Sequence, residues 1–281
     1  MESSRRYGTI VVCGGGCYGG YYVRQLARAR RAAALHFDRV LVVDRDPDCR
    51  VARLVAAIER QDETAIAAHG WALRASDDSR ATADAEEAYR GLPVRFIASD
   101  WLAFLTRWFA AAIAAPHAAV GDAVVPSPLM PNLLAEWVRS RLDLHRPLAR
   151  SDRETLRVPP LTPWSRTGAD GSHFASYATW MCPINCIEPP RCPETRGPRD
   201  WTMPAAVQAA ASAAAEQGTP FQVIAMFQTS HRAYGVGMFD VDAAIAADRG
   251  IEAAATGESV RVLVASVSHC HGALAALSSV R

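Results

Sequence analysis

The chain contains no lysine: all 30 of its basic side chains are arginine. That absence removes whole classes of chemistry. No Schiff-base lysine can form, which excludes pyridoxal-type and lysine-aldolase enzymes. A phosphate loop of the G-x-x-x-x-G-K-[ST] kind is excluded. The kinase strand lysine, the Ser-x-x-Lys hydrolases and the Tyr-x-x-x-Lys pair of short-chain dehydrogenases are absent as well. Charge excess is lacking too. The formal net charge is +1, so no nucleic-acid or membrane-surface partner is indicated. No apolar run reaches the ~20 residues needed to span a bilayer.

What is present is ordinary for a globular protein. Half of the 281 residues are apolar and 21% are charged. Alanine appears 53 times, a compositional bias without a mechanism of its own. The length allows one large domain or two small ones with a real core. The chain runs from its N-terminus into an apolar strand, without the long apolar segment of a signal peptide. The seven cysteines are therefore expected to be reduced and cytoplasmic, which favours metal or redox roles over a disulfide framework.

The opening carries the strongest local pattern. Thr9 to Cys13 is a β-branched apolar run, as expected for a strand buried on both faces. Gly14, Gly16 and Gly19 follow as G-x-G-x-x-G, then a helical pattern from Tyr21 to Ala34. A second apolar strand, Val40 to Val43, ends in Asp44. Gly14 permits the tight strand-to-helix turn. Gly16 lets backbone approach a pyrophosphate, and Gly19 lets the helix lie close on the strand. The helix N-terminus offers N–H groups to phosphate, with Cys17 beside them. Asp44 suits the ribose hydroxyls and repels a 2′-phosphate, which favours NAD over NADP; Arg45 and Arg50 work against that preference.

These residues resemble the Rossmann-type NAD(P)-binding fold over roughly residues 7–115. The resemblance implies a dinucleotide at Gly14, Gly16, Cys17, Gly19 and Asp44. FAD and S-adenosylmethionine are the alternatives, since each uses a related loop or acid. Residues 62–91 are polar and alanine-rich and read as a surface helix with loops. Leu92 to Ala98 reads as a third strand. Ser99 or Asp100 then caps an apolar helix buried between layers, and Asp100 also lies where such a loop approaches the adenosine.

The middle of the chain turns proline- and arginine-rich from Asp143 to Ser176, without periodicity. It leads to Cys182, Cys186 and Cys192, spaced C-x3-C-x5-C, with Pro183 and Pro193 following two of them. Three thiols so close on a proline-stiffened segment point to an iron–sulfur cluster, with zinc, thiol redox or plain structure as alternatives. The spacing matches none of the common ferredoxin runs. Cys270, His269 or His271 can supply a fourth ligand. They follow the apolar strand Val260 to Val267 and precede a segment read as a short helix.

A strand at Phe221 to Phe227 runs into a polar loop holding His231, Arg232 and Tyr234. His231 and Tyr234 are the acid–base candidates, and Arg232 a clamp for a carboxylate or phosphate. Cys13 reads as core.

Strands and helices alternate throughout, which predicts an α/β protein with one doubly wound, mostly parallel Rossmann-like sheet. Residues 1–142 form the dinucleotide-binding part, 143–203 an irregular cysteine-rich metal-binding insertion, and 204–281 a C-terminal part completing the sheet. The expected function is an NAD-linked oxidoreductase with an iron–sulfur or zinc site near the nucleotide. Alternatives are a non-catalytic nucleotide sensor or assembly protein with structural zinc, and an S-adenosylmethionine-dependent transferase. The expected partner is a small-molecule substrate; the reading also allows a redox partner protein and a homodimer.

Overall fold

The computed structural model describes residues 6–69, 89, 91–157, 161–178 and 186–281. Among them the chain forms a mixed α/β fold of two six-stranded mixed sheets and seven helices. The first sheet has the order β3-β2-β1-β4-β10-β9. Its members are β1 (Arg6–Cys13), β2 (His36–Asp44), β3 (Val94–Ala98), β4 (Ala123–Val125), β9 (Ser230–Ala233) and β10 (Val236–Asp240). The strands β3, β2, β1 and β4 run parallel, while β10 and β9 close the edge as an antiparallel pair. The second sheet has the order β6-β7-β12-β11-β8, and β5 also pairs with β12. It is built from β5 (Arg150–Glu154), β6 (Trp164–Thr167), β7 (His173–Ser176), β8 (Val223–Gln228), β11 (Ser259–Val267) and β12 (His271–Val280). Only its β8–β11 pair is parallel.

Side-chain alternation explains how two sheets share one chain. In β1, Ile10 and Val12 face one core while Val11 and Cys13 face another. In β11, Val262 and Val264 face that same second core, and Leu263 and Ala265 point the opposite way. Three helices fill the shared layer between the sheets: α4 (Trp101–Ala114), α5 (Leu133–His145) and α7 (Asp242–Ala254). The helices α1 (Cys17–Arg31), α2 (Arg50–Arg60) and α3 (Glu63–His69) cover the outer face of the first sheet. The alanine-rich α6 (Met203–Glu216) covers the outer face of the second. The helix starting at Trp101 is apolar nearly all round because it lies between two sheets.

Several expectations change. One doubly wound, mostly parallel sheet is replaced by two mixed sheets. The segment expected to be irregular supplies β5, β6 and β7. Their polar, partly exposed edges hide the strand alternation; every residue of β6 is exposed. The C-terminal part does not complete the first sheet alone. It lends β9 and β10 to that sheet and supplies three of the six strands of the second, β8, β11 and β12. The segment after Cys270 is not a helix but β12. Its alanines and leucines favour helix locally, and pairing with β11, β7 and β5 overrides that preference. The surface helix expected within 62–91 is present as α3, and residues 70–88 lie outside the described residues.

Candidate functional site

Two places carry chemistry, and the first is the junction of β1 and α1. Gly14 leaves β1 at φ +108°, and its N–H donates to the carbonyl of Val43 at 2.8 Å. The indole of Trp101 donates to the same carbonyl at 2.8 Å and lies against the Gly14 backbone. A Cβ on Gly19 would stand 1.8 Å from the Gly14 carbonyl oxygen, so only glycine fits there. The Asp44 carboxylate ties the loop to the end of β2. It accepts from the Gly15 N–H at 2.7 Å and from the Asp46 N–H at 3.0 Å. Gly16, Cys17 and Tyr18 are exposed at the start of α1, and no side chain caps its first amides. Asp100 accepts from the Ala103 N–H at 3.0 Å and caps α4.

The second place lies at the C-terminal ends of β8 and β11. A tight turn joins β11 to β12, closed by the Ser268 N–H donating to the His271 carbonyl at 2.8 Å. The Ser268 hydroxyl accepts from the N–H groups of Cys270 and His271 at 3.3 and 3.2 Å. His269 and Cys270 thereby occupy the tip of the turn. The segment from Cys186 to Trp201 reaches this tip. Glu188 accepts from the His269 N–H at 3.0 Å and lies 3.9 Å from Nδ1 of His231. Arg199 donates from Nε to the Pro189 carbonyl at 2.9 Å and from Nη1 to Sγ of Cys270. Its guanidinium lies 5.4 Å from the Trp201 ring. Trp201 stacks on Tyr177 with centroids 4.5 Å apart and lies 5.9 Å from the His269 ring. On the neighbouring strand, the Ser176 hydroxyl and Nδ1 of His271 are 2.9 Å apart.

The electrostatics of the second site push the Cys192 thiol and two imidazoles, His231 and His271, below their ordinary values. Burial opposes ionisation of Cys192, but the Thr195 amide and hydroxyl, the Glu194 amide and the Arg199 charge outweigh it. The thiol is held below its ordinary value. Burial pushes His231 down, and the Arg199 charge adds to this against the opposing pull of Glu188 and the Cys186 carbonyl. Burial likewise pushes His271 down, with Arg199 and His231 repelling its charged form against Glu188. Elsewhere burial pushes the Cys13 thiol up to about 12 and also raises Cys49. These two behave as small core residues.

The structure sorts the residues named from sequence. Gly14, Gly16, Cys17, Gly19 and Asp44 converge at the first place. Cys186, Cys192, Cys270 and His231 belong to the region of the second, and Cys182 lies outside the described residues. Among the described residues no three Cys, His, Asp or Glu side chains stand together so as to hold a metal ion. Tyr234 lies in the turn between β9 and β10 at φ +46°, with the Arg28 guanidinium 5.5 Å from its ring. Arg232 is not a free clamp. It makes a two-pronged pair with Asp240 at 2.5 and 3.0 Å and donates to the Tyr7 hydroxyl at 2.8 Å. Glu188 and Arg199 were missed from sequence. One arginine among 30 carries no local signal, and Glu188 comes to His231 only through the fold.

Fold and sites together define an α/β protein with a glycine-loop junction in one sheet and a thiol–imidazole cluster at the end of the other. Residues 134–280 match the family described as "Uncharacterized protein, C-terminal domain", and the chain belongs to that family. The matched region includes the whole second site and excludes the glycine loop. No curated protein and no solved structure matches the chain. No helix among the described residues is long and apolar enough to cross a membrane.

Proposed function

We propose that this chain is an NAD-linked oxidoreductase in which the glycine loop holds the nucleotide and the Cys–His–Arg cluster handles substrate. The observation that carries the reading is the approach of Gly14 and Gly19 at the end of a parallel strand. The parallel order β3-β2-β1 around it is also the one a dinucleotide-binding half-fold uses, which supports the reading. The residues fit such a ligand. The backbone around Gly16 is open, the first amides of α1 lack a side-chain cap, and Asp44 stands at the end of β2. Bound there, a nicotinamide nucleotide supplies a hydride acceptor or donor.

The chain's own groups supply the rest. The α1 amides receive phosphate in place of the missing lysine. Asp44 keeps the loop in position through Gly15 and retains acceptor capacity for ribose hydroxyls. His231, held below its ordinary value by burial and beside Glu188, is placed to take up a proton. The described thiols do not fit a three-ligand metal centre, and the reading uses thiol and imidazole chemistry.

The test is titration of the full chain with NAD, NADP and S-adenosylmethionine, followed by intrinsic tryptophan fluorescence, since Trp101 lies on the loop. NAD should bind at least tenfold tighter than the other two. Tighter binding of S-adenosylmethionine would move the chain to the transferases. No binding by any of the three would sink the nucleotide reading.

A further inference from the structure

Arg199 is a guanidinium held rigidly with one end uncommitted. Its backbone N–H donates to the Pro190 carbonyl at 2.8 Å, its Nε to Pro189, and its Nη1 to Cys270. Trp201 lies beneath it. Its Nη2 is buried and meets no acceptor. Among the described residues no carboxylate forms an ion pair with it. Two further buried nitrogens in the same cluster also lack hydrogen-bond partners, Nε2 of His269 and Nδ1 of His231, the latter 3.9 Å from the Glu188 carboxylate. Buried polar atoms are nearly always satisfied, and three exceptions in one cluster point to a missing polar ligand. The cluster lies past the C-terminal ends of two parallel strands, where α/β sheets bind ligands.

We propose that Arg199, His231 and His269 form the binding site for a small carboxylate substrate, with Arg199 as the clamp. A guanidinium is matched to a carboxylate by geometry as well as charge. Two imidazoles beside it can donate to the ligand's remaining oxygens. The role assigned by sequence to Arg232 thus passes to Arg199, because Asp240 already occupies Arg232. The inference deepens the oxidoreductase reading and rests on it for catalytic meaning: Arg199 orients an organic acid, and His231 serves its hydroxyl or carbonyl.

The experiment titrates the full chain with oxalate by isothermal calorimetry, with nucleotide left out. Failure of the nucleotide reading therefore leaves this result standing, and the reverse. Saturable oxalate binding is expected, weakened at least tenfold by Arg199→Met and partly restored by Arg199→Lys. Arg191→Met, an exposed arginine in the same segment, should leave it unchanged. Should Arg199→Met lose its melting transition, His231→Gln decides, with an expected loss of about fivefold. The proposal is overturned if oxalate does not saturate the native chain, or if inorganic phosphate binds tighter than oxalate. Equal affinity in whichever deciding variant is used and in native protein also overturns it.

Discussion

A Cβ built on Gly19 would stand 1.8 Å from the carbonyl oxygen of Gly14. Backbone on both sides leaves nothing to give way. Gly19→Ala should therefore push α1 off β1, at a cost of about 2 kcal/mol in stability. Nucleotide affinity should fall more than 30-fold. Gly16→Ala is the comparison for stability, since no protein atom lies within 4 Å of its Cβ position; it should keep native stability and lose nucleotide affinity alone. Urea denaturation and fluorescence titration of both variants check the contrast.

Asp44 touches two amides of its own chain, Gly15 and Asp46. Asp44→Asn keeps the shape but loses the charge and one acceptor oxygen. NAD should bind roughly tenfold weaker, and the discrimination against NADP should shrink. An unchanged NAD-to-NADP ratio would remove Asp44 from the ribose site.

Asp248 is buried in α7 and pairs with Arg141 at 2.6 Å and His145 at 2.9 Å. Burial raises its value, but the hydrogen bonds and charges of these partners outweigh that and lower it overall. A depressed carboxylate contributes stability above its unfolded value, near 3.9. That contribution is lost as pH falls from there through the folded value. Asp248→Asn should cost about 3 kcal/mol at neutral pH and flatten the acid limb below about pH 4. Thermal melts across pH 2–6 read both effects.

His231 and His271 are both held below the ordinary histidine value, chiefly by burial. The unfolded chain then binds protons first as pH falls. Stability should decrease between the unfolded value, near 6.5, and the lower folded values, and level off below them. Substituting both residues by glutamine should reduce this slope, leaving the share of His173, which burial also holds down. Histidine proton resonances followed by NMR should show three imidazoles titrating late, two of which disappear in the double variant.

Cys192 is the buried thiol that the fold pulls down, through the Thr195 and Glu194 donors and the Arg199 charge. Thiolate absorbance near 240 nm should therefore appear at lower pH in native protein than in Cys192→Ser. Thr195→Val should shift that onset upward. If the onset is the same in all three, the lowering of the Cys192 thiol fails as an account of the site.

How much was legible beforehand depended on distance along the chain. Thr9 to Cys13, Gly14 to Gly19 and Asp44 could be placed because each constraint acts within a few residues or on one turn. The Asp100 cap was legible for the same reason. The two-sheet architecture was not. β11 reads as buried whichever sheet it joins, and the choice depends on pairing with β8, β12 and their neighbours. Residues 271–280 have helix-favouring composition and become a strand because β11 and β7 lie on either side of them.

The sequence by itself determined that phosphate must be met by backbone amides or arginine, and that glycine spacing permits the first. It also determined that no lysine chemistry exists here. Only the tertiary structure decided which arginine is available. Arg232 is neutralised by Asp240 eight residues later, whereas Arg199 reaches Cys270 across 71 residues with one nitrogen unpaired. Charge compensation is a property of three-dimensional neighbours, and a sequence with 30 equivalent arginines does not reveal that the fold pairs Arg232 with a carboxylate and leaves Arg199 without one among the described residues.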